Sequence, residues 1–152
     1  MQKAFPEAKT EMLDRARRLT PDAVRQWGKM SVHQMICHLN DSYLGAMGER
    51  KVADKSNILT RNLVRVLALR APMQWPKGVS TVPEFDQVAG AGTAPSVFET
   101  DRSQLLFLIN RFTAQPRDFR YARHPIFAEM SEWEWLRWGY LHADHHLRQF
   151  GL

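Results

Sequence analysis

The sequence predicts an all-α protein, an up-and-down bundle of helices joined by long irregular connections, and three observations carry that prediction. Capping boxes stand at Ser31-Val32-His33-Gln34 and Ser131-Glu132-Trp133-Glu134, where a serine hydroxyl and a Gln or Glu side chain satisfy orphan backbone N–H groups. Behind each box, residues that read as one inward face return at three- and four-residue steps, the period of a helix. Prolines and glycines gather instead in residues 71–95, at Pro72, Pro76, Gly78, Pro83, Gly90, Gly92 and Pro95, and break any helical pattern there. The proportions suggest three long helices and one or two shorter ones around a single core.

Residues 1–152 make one domain's worth of chain, able to bury a core without disulfides. Cys37 is alone, which allows no intrachain bridge and fits a reducing cytoplasm. Apolar residues at 44% and charged ones at 24% match the globular mix and argue against a disordered chain or a membrane protein. The longest apolar stretches, such as 105–109, fall far short of the ~20 residues a bilayer span needs. Residues 1–7 lack a hydrophobic signal segment. Twenty-one basic residues against 16 acidic ones leave a net charge of +5. They are dispersed, so the excess suits solubility and anions in general and is weak evidence for nucleic-acid binding.

The first helix is expected over Glu7 to Leu19, with Met12, Leu13 and Ala16 inward and Arg15, Arg17 and Arg18 solvated. Thr20-Pro21-Asp22 offers another start, threonine as N-cap and proline at the first helical position, for a short helix that stops near Trp27-Gly28. The helix opened by Ser31 is expected to reach about Gly48. Met35, His38, Ser42 and Gly45 form one stripe on it, and the small Ser42 and Gly45 leave space beside His38 for another helix, a ligand or water. Asp41 borders that stripe as its nearest carboxylate. His33 lies about 140° around the helix and is excluded from the same site.

Residues 49–57 read as a polar connection. Ile58 to Leu69 reads as an amphipathic helix, with Leu59, Leu63, Val66 and Leu67 apolar and Arg61, Arg65 and Arg70 away from that stripe. A membrane-surface helix would look alike, but a bundle or crossover helix with solvated arginines is the expectation. The irregular segment 71–95 is long enough to be functional or packed across the surface. Trp75 and Phe85 either pin it to the core or edge a pocket mouth. Ser96 to about Ala114 is the third long helix, buried along Phe98, Leu105, Leu108, Ile109 and Phe112 and ended by Gln115-Pro116. A second irregular stretch, 118–130, precedes the last helix, Ser131 to Phe150.

That last helix carries three of the six histidines within positions 142–146. His142 and His146 stand one above the other, with Cβ atoms roughly 5–6 Å apart. Two imidazoles so placed hold an ion at roughly 2.0–2.1 Å; two buried histidines bonded to carbonyls would share the spacing. Trp135, Trp138 or Gly139 and Gln149 share their face. Ala143 occupies the place where a metalloprotease helix has its glutamate base, which disfavours zinc-peptidase chemistry. His145 points about 100° away from His146 and suits a packing or supporting role. Cys37 diverges from His38 in the same way and suits the core. His124, before Pro125, either approaches the pocket or contacts backbone.

Six motifs in order, Trp27-Gly28-Lys29-Met30-Ser31, Cys37-His38-Leu39, Pro76-Lys77-Gly78, Pro83-Glu84-Phe85, His124-Pro125-Ile126-Phe127 and His142-Ala143-Asp144-His145-His146-Leu147-Arg148-Gln149-Phe150-Gly151, cover nearly the whole chain. They resemble the DinB-like superfamily of four-helix bundles and, within it, the DUF1569 family of bacterial proteins. The resemblance implies three histidines converging on one divalent metal ion, zinc or nickel. One comes from the second helix and two, four apart, from the last; on this chain they are His38, His142 and His146. It also implies kinship with thiol-dependent transferases and isomerases that use bacillithiol, mycothiol or glutathione. Three histidines leave an open position, as catalytic sites do, which Asp41 would fill or where it would orient a bound water. The expectation is thus a metal-dependent, thiol-transferase-type enzyme acting on a small molecule. The alternative is a non-catalytic bundle of unassigned activity that is metal-stabilised or dimerises with a second copy.

Overall fold

Both serines cap as their sequence demands. Ser31 Oγ accepts from Gln34 N at 3.1 Å while Gln34 Oε1 accepts from Ser31 N at 2.8 Å. Ser131 Oγ accepts from Glu134 N at 3.3 Å while Glu134 Oε2 accepts from Ser131 N at 2.8 Å. In the computed structural model, which describes residues 5–152, the helices are α1 (Phe5–Arg17), α2 (Val32–Ala46), α3 (Arg65–Arg70), α4 (Phe98–Phe112) and α5 (Glu132–Arg148). A π-helical turn, Thr60–Val64, leads into α3, and Pro83–Phe85 forms a 3-10 turn. No strand forms among the described residues, so the protein is all-α. None of these helices is long and apolar enough to cross a membrane.

The core lies where α2 packs on α4 and α5, and α1 packs on the same two helices. Met12, Met35, Ile36, Leu39, Leu105, Ile109 and Trp135 are completely buried there. One close approach sets the spacing of α4 and α5. A Cβ on Gly139 would lie 2.5 Å from Phe112 Cε1, so glycine makes room for the phenyl ring. Tyr43 Oη then donates to the Gly139 carbonyl at 3.0 Å, tying α2 to the same point.

Three expectations fail. The short helix over residues 20–27 is absent. Ala23 N donates to Thr20 O at 3.1 Å to close one turn, but Gln26 N donates to Gln149 O at 2.8 Å, and Arg102 takes Leu19 O at 2.7 Å. Tertiary partners satisfy the polar groups that a helix would have used. Arg15 is not solvated: it pairs with Asp144 at 2.8 Å and Glu11 at 3.1 Å and donates to Leu152 O at 2.9 Å, so α1 is fastened to the end of α5.

The third correction concerns α3 and its π-helical lead. Leu59, Leu63, Val66 and Leu67 are 58%, 54%, 45% and 56% exposed, and Leu69 alone on this segment is completely buried. Arg65 instead turns inward, donating to Glu129 O and lying 3.5 Å from Glu134. The π turn inserts an extra residue and so rotates the following face by roughly 100° against a 3.6-residue stripe. The connection before it is also held in place, by Lys55 N donating to Pro125 O at 2.7 Å.

The segment 71–95 crosses the surface under three restraints. Phe85 is buried, Trp75 Nε1 donates to Ala68 O at 2.8 Å, and Asp41 collects the far end. Its carboxylate accepts from Gln87 Nε2 at 2.7 Å, Thr93 N at 2.8 Å and Thr93 Oγ1 at 2.7 Å, and faces Arg50 at 3.1 Å.

Candidate metal centre

The packing of α2 on α5 brings His38 opposite His142 and His146. One ring nitrogen of each lies within 4.8 Å of those of the other two. His38 Nε2 and His142 Nε2 are 3.1 Å apart, and the ring centres of His38 and His146 are 4.6 Å apart. His38 and His146 are buried, while half-buried His142 keeps part of its surface open. It opens to a cavity of about 860 Å³ whose walls include Met30, Leu67, Met73, Trp75 and Trp138.

Oxygen acceptors set the orientation of two of the rings. His38 Nδ1–H donates to Phe85 O at 2.7 Å. His146 Nδ1–H donates to Gln149 Oε1 at 3.0 Å, and Gln149 Nε2 donates onward to Trp27 O at 2.9 Å, which settles the direction of the amide. A carbonyl oxygen cannot donate, so in each neutral ring Nε2 carries the lone pair. These are the outer partners that orient metal-binding histidines. His142 Nε2 faces His38 Nε2 across the same space at 3.1 Å.

Burial lowers the pKa of all three rings; for His142 and His146 the neighbouring imidazoles lower it further, well below the ordinary histidine value. For His38 the Phe85 carbonyl and the Asp41 charge oppose part of the effect of burial. The set is therefore neutral near pH 7, the protonation state that metal coordination requires. A neutral, convergent, hydrogen-bonded trio of nitrogens fits a divalent ion that accepts nitrogen donors.

The space beside His38 has a specific occupant. A Cβ on Gly45 would lie 2.4 Å from Phe85 Cζ, so Gly45 admits the ring whose carbonyl holds His38. Ser42 turns back to donate to His38 O at 2.8 Å. Asp41 does not join the histidines, since its oxygens are taken by Gln87, Thr93 and Arg50. It acts on His38 only through its charge.

His33 stands apart from the trio, as its angle on the helix requires, and meets Asp101 at 2.7 Å. Cys37 is buried, and its thiol, 3.7 Å from Asp101 Oδ2, is pushed up to about 12 by burial and by that carboxylate. His145 lines the cavity with its ring edge-on to Trp27 at 6.1 Å. Trp135 and Trp138 are both buried and both line the cavity, so packing and wall are one role. Sequence reasoning missed the grouping of His33, Cys37 and Asp101, which needs α4 beside α2. It also missed the Phe85 carbonyl, a backbone atom with no side-chain signature. Gln149 had a signal: it lies three residues past His146 on the same face.

A family model described as "Protein of unknown function (DUF1569)" matches residues 2–151 of the chain. Neither a curated protein nor a solved structure matches it significantly.

Proposed function

The chain belongs to the DUF1569 family, and from its site we propose that it is a divalent-metal-binding, thiol-transferase-type enzyme in which His38, His142 and His146 hold one zinc or nickel ion. One observation carries this reading: Phe85 O and Gln149 Oε1 hold Nδ1–H of two rings, leaving bare Nε2 atoms in a trio whose ring nitrogens gather within 4.8 Å. A bound ion supplies Lewis acidity, lowering the pKa of a thiol or water at its open position. The chain's own groups do the rest. Trp138 and Trp75 flank His142, with ring centres at 4.9 Å and 6.1 Å, and wall that side of the cavity. The apolar walls receive a small molecule, and bacillithiol, mycothiol or glutathione is the proposed thiol partner.

The same reading places the chain in the DinB-like superfamily, with α1, α2, α4 and α5 as an up-and-down four-helix bundle; their mutual packing supports it. It also places the protein in the cytoplasm, where the lone Cys37 suits a reducing medium. Elemental analysis tests the ligand set. We expect one ion per chain, lost from His38→Ala, His142→Ala and His146→Ala and kept by His33→Ala and His145→Ala; full occupancy in His38→Ala would overturn it. Adding the three thiols to cobalt-loaded protein tests the chemistry. A visible spectrum that none of them changes would remove thiol binding from the proposal. A second reading, a non-catalytic bundle that the ion ties together and that dimerises, is favoured by the outward apolar side of α3. Sedimentation of metal-loaded protein that yields only monomer would remove the dimer.

A further inference from the structure

His124 lies in the turn before α5, where His124 N and Ala128 N each donate to the other's carbonyl at 2.9 Å. Its ring stacks on Phe127 at 4.5 Å and touches Trp135 and Trp138 at 5.4 and 5.5 Å. It is only 6% exposed. Such burial pushes the ring down to about 3, so it is neutral at pH 7. Its proton has a definite place. Nδ1 accepts from Ile126 N at 3.1 Å and from Phe127 N at 3.0 Å. A backbone N–H only donates, so Nδ1 holds the lone pair and the ring hydrogen sits on Nε2.

That Nε2–H has no hydrogen-bond partner among the described residues. His124 lines the same cavity as His142, and Trp138 stands between the two, 5.5 Å from one ring and 4.9 Å from the other. With Nδ1 taken by the turn and the ring on the cavity wall, this donor is free to give its hydrogen to whatever the cavity holds. Turn stabilisation needs Nδ1 alone and leaves Nε2–H unexplained. We propose that His124 is a substrate-binding residue, donating from Nε2–H to the carbonyl oxygen of an apolar molecule that occupies the cavity. A carbonyl suits this end of the cavity better than a carboxylate, because the donor is uncharged and stands among Phe and Trp rings, and the neighbouring wall cation, Arg123, is already paired with Asp54 and Glu129. The inference rests on the reading that this cavity receives a small molecule, and it requires neither the metal nor the thiol.

The test uses two variants and two probes on the metal-loaded full chain. His124→Asn keeps an acceptor oxygen where Nδ1 stands, so the turn retains its partner, and it removes the distal donor. His124→Gln restores an N–H near the Nε2 position. Acetophenone supplies an apolar body with a carbonyl; ethylbenzene supplies the same body without one. Imidazole ¹⁵N spectra should show the Nε2–H tautomer at His124 and a displacement of that nitrogen by acetophenone but not by ethylbenzene. Acetophenone affinity should fall about fivefold in His124→Asn, the worth of one ordinary hydrogen bond, and partly recover in His124→Gln, with ethylbenzene affinity unchanged. An Nδ1–H tautomer, equal shifts from both probes, no acetophenone binding, or wild-type affinity in His124→Asn would each overturn the inference. Metal content measured on the same samples keeps the two readings separate. A chain that binds no ion but gives the acetophenone-specific shift retains His124 and loses the metal centre.

Discussion

At His146 the position of one nitrogen depends on a glutamine three residues away. Gln149 is buried, and its amide is committed at both ends, to His146 Nδ1–H and to Trp27 O. Gln149→Ala should therefore weaken metal affinity by about 10–100-fold, the usual cost of losing an outer partner, without removing a ligand. Competition against a chelator measures it, and wild-type affinity would mean that helix packing alone orients the ring. Protons act at the same scale. His124 titrates at about 3 in the folded protein against an ordinary value of 6.5, so between those two pH values the unfolded chain binds more protons than the folded one. Its contribution to stability is complete above pH 6.5 and is lost as pH falls toward 3, at up to about 1.4 kcal/mol per pH unit. Denaturant titrations from pH 7.5 down to pH 4.5 should show this slope, made steeper by the lowered trio, and His124→Asn should flatten it. An unchanged slope in that variant would remove His124 as a source.

At the scale of elements, α3 and its π-helical lead show a polar contact overruling an apolar stripe. Leu59 and Leu63 face outward while Arg65 reaches the backbone of Glu129 and the side chain of Glu134. Leu59→Glu and Leu63→Glu should each change the stability of the single chain by less than about 0.5 kcal/mol, as exposed substitutions do. Arg65→Ala should cost more, about 1 kcal/mol or above, because it removes charge-assisted partners from half-buried groups. Urea denaturation of the three variants decides the order. The reverse ranking would place the leucines in the core. Neither leucine borders the cavity, so both variants should keep metal and probe binding.

At the scale of the whole molecule the trio joins α2 to α5, two elements separated by the 85 residues from 47 to 131. An ion held across that gap binds the folded state and not the unfolded one, so it stabilises the fold by about 2.7 kcal/mol at a free concentration a hundredfold above Kd. Melting curves should rise with added zinc or nickel and fall with chelator in the wild type. In His142→Ala the two curves should coincide. Equal responses of both proteins to zinc would locate the stabilising ion elsewhere, with His33, Cys37 and Asp101 as the alternative cluster.

Much of the site was legible before any fold was drawn. The pair His142 and His146 follows from a spacing of four, their inward direction from the tryptophans and Gln149 on the same face, and the start of each helix from Ser31 and Ser131. These are local properties, set by helix geometry and by side chains that reach their own backbone. Asp41 shows where local reasoning stops. It borders His38 on α2, yet Thr93 and Gln87, about fifty residues away, take its oxygens. Arg15 and Arg65 fail for the same reason: a charged side chain goes to whichever partner the fold brings near, and periodicity carries no information about that partner. By itself the sequence determined the helical class, the main helices and the inward face of the paired histidines, because those depend on neighbours along the chain. Only the tertiary structure decided that His38 meets them with its Nδ1–H on Phe85, that Leu59 and Leu63 ahead of α3 turn outward, and that His124 lines the cavity with an Nε2–H that no described residue takes. Each of those outcomes depends on atoms brought together from distant parts of the chain.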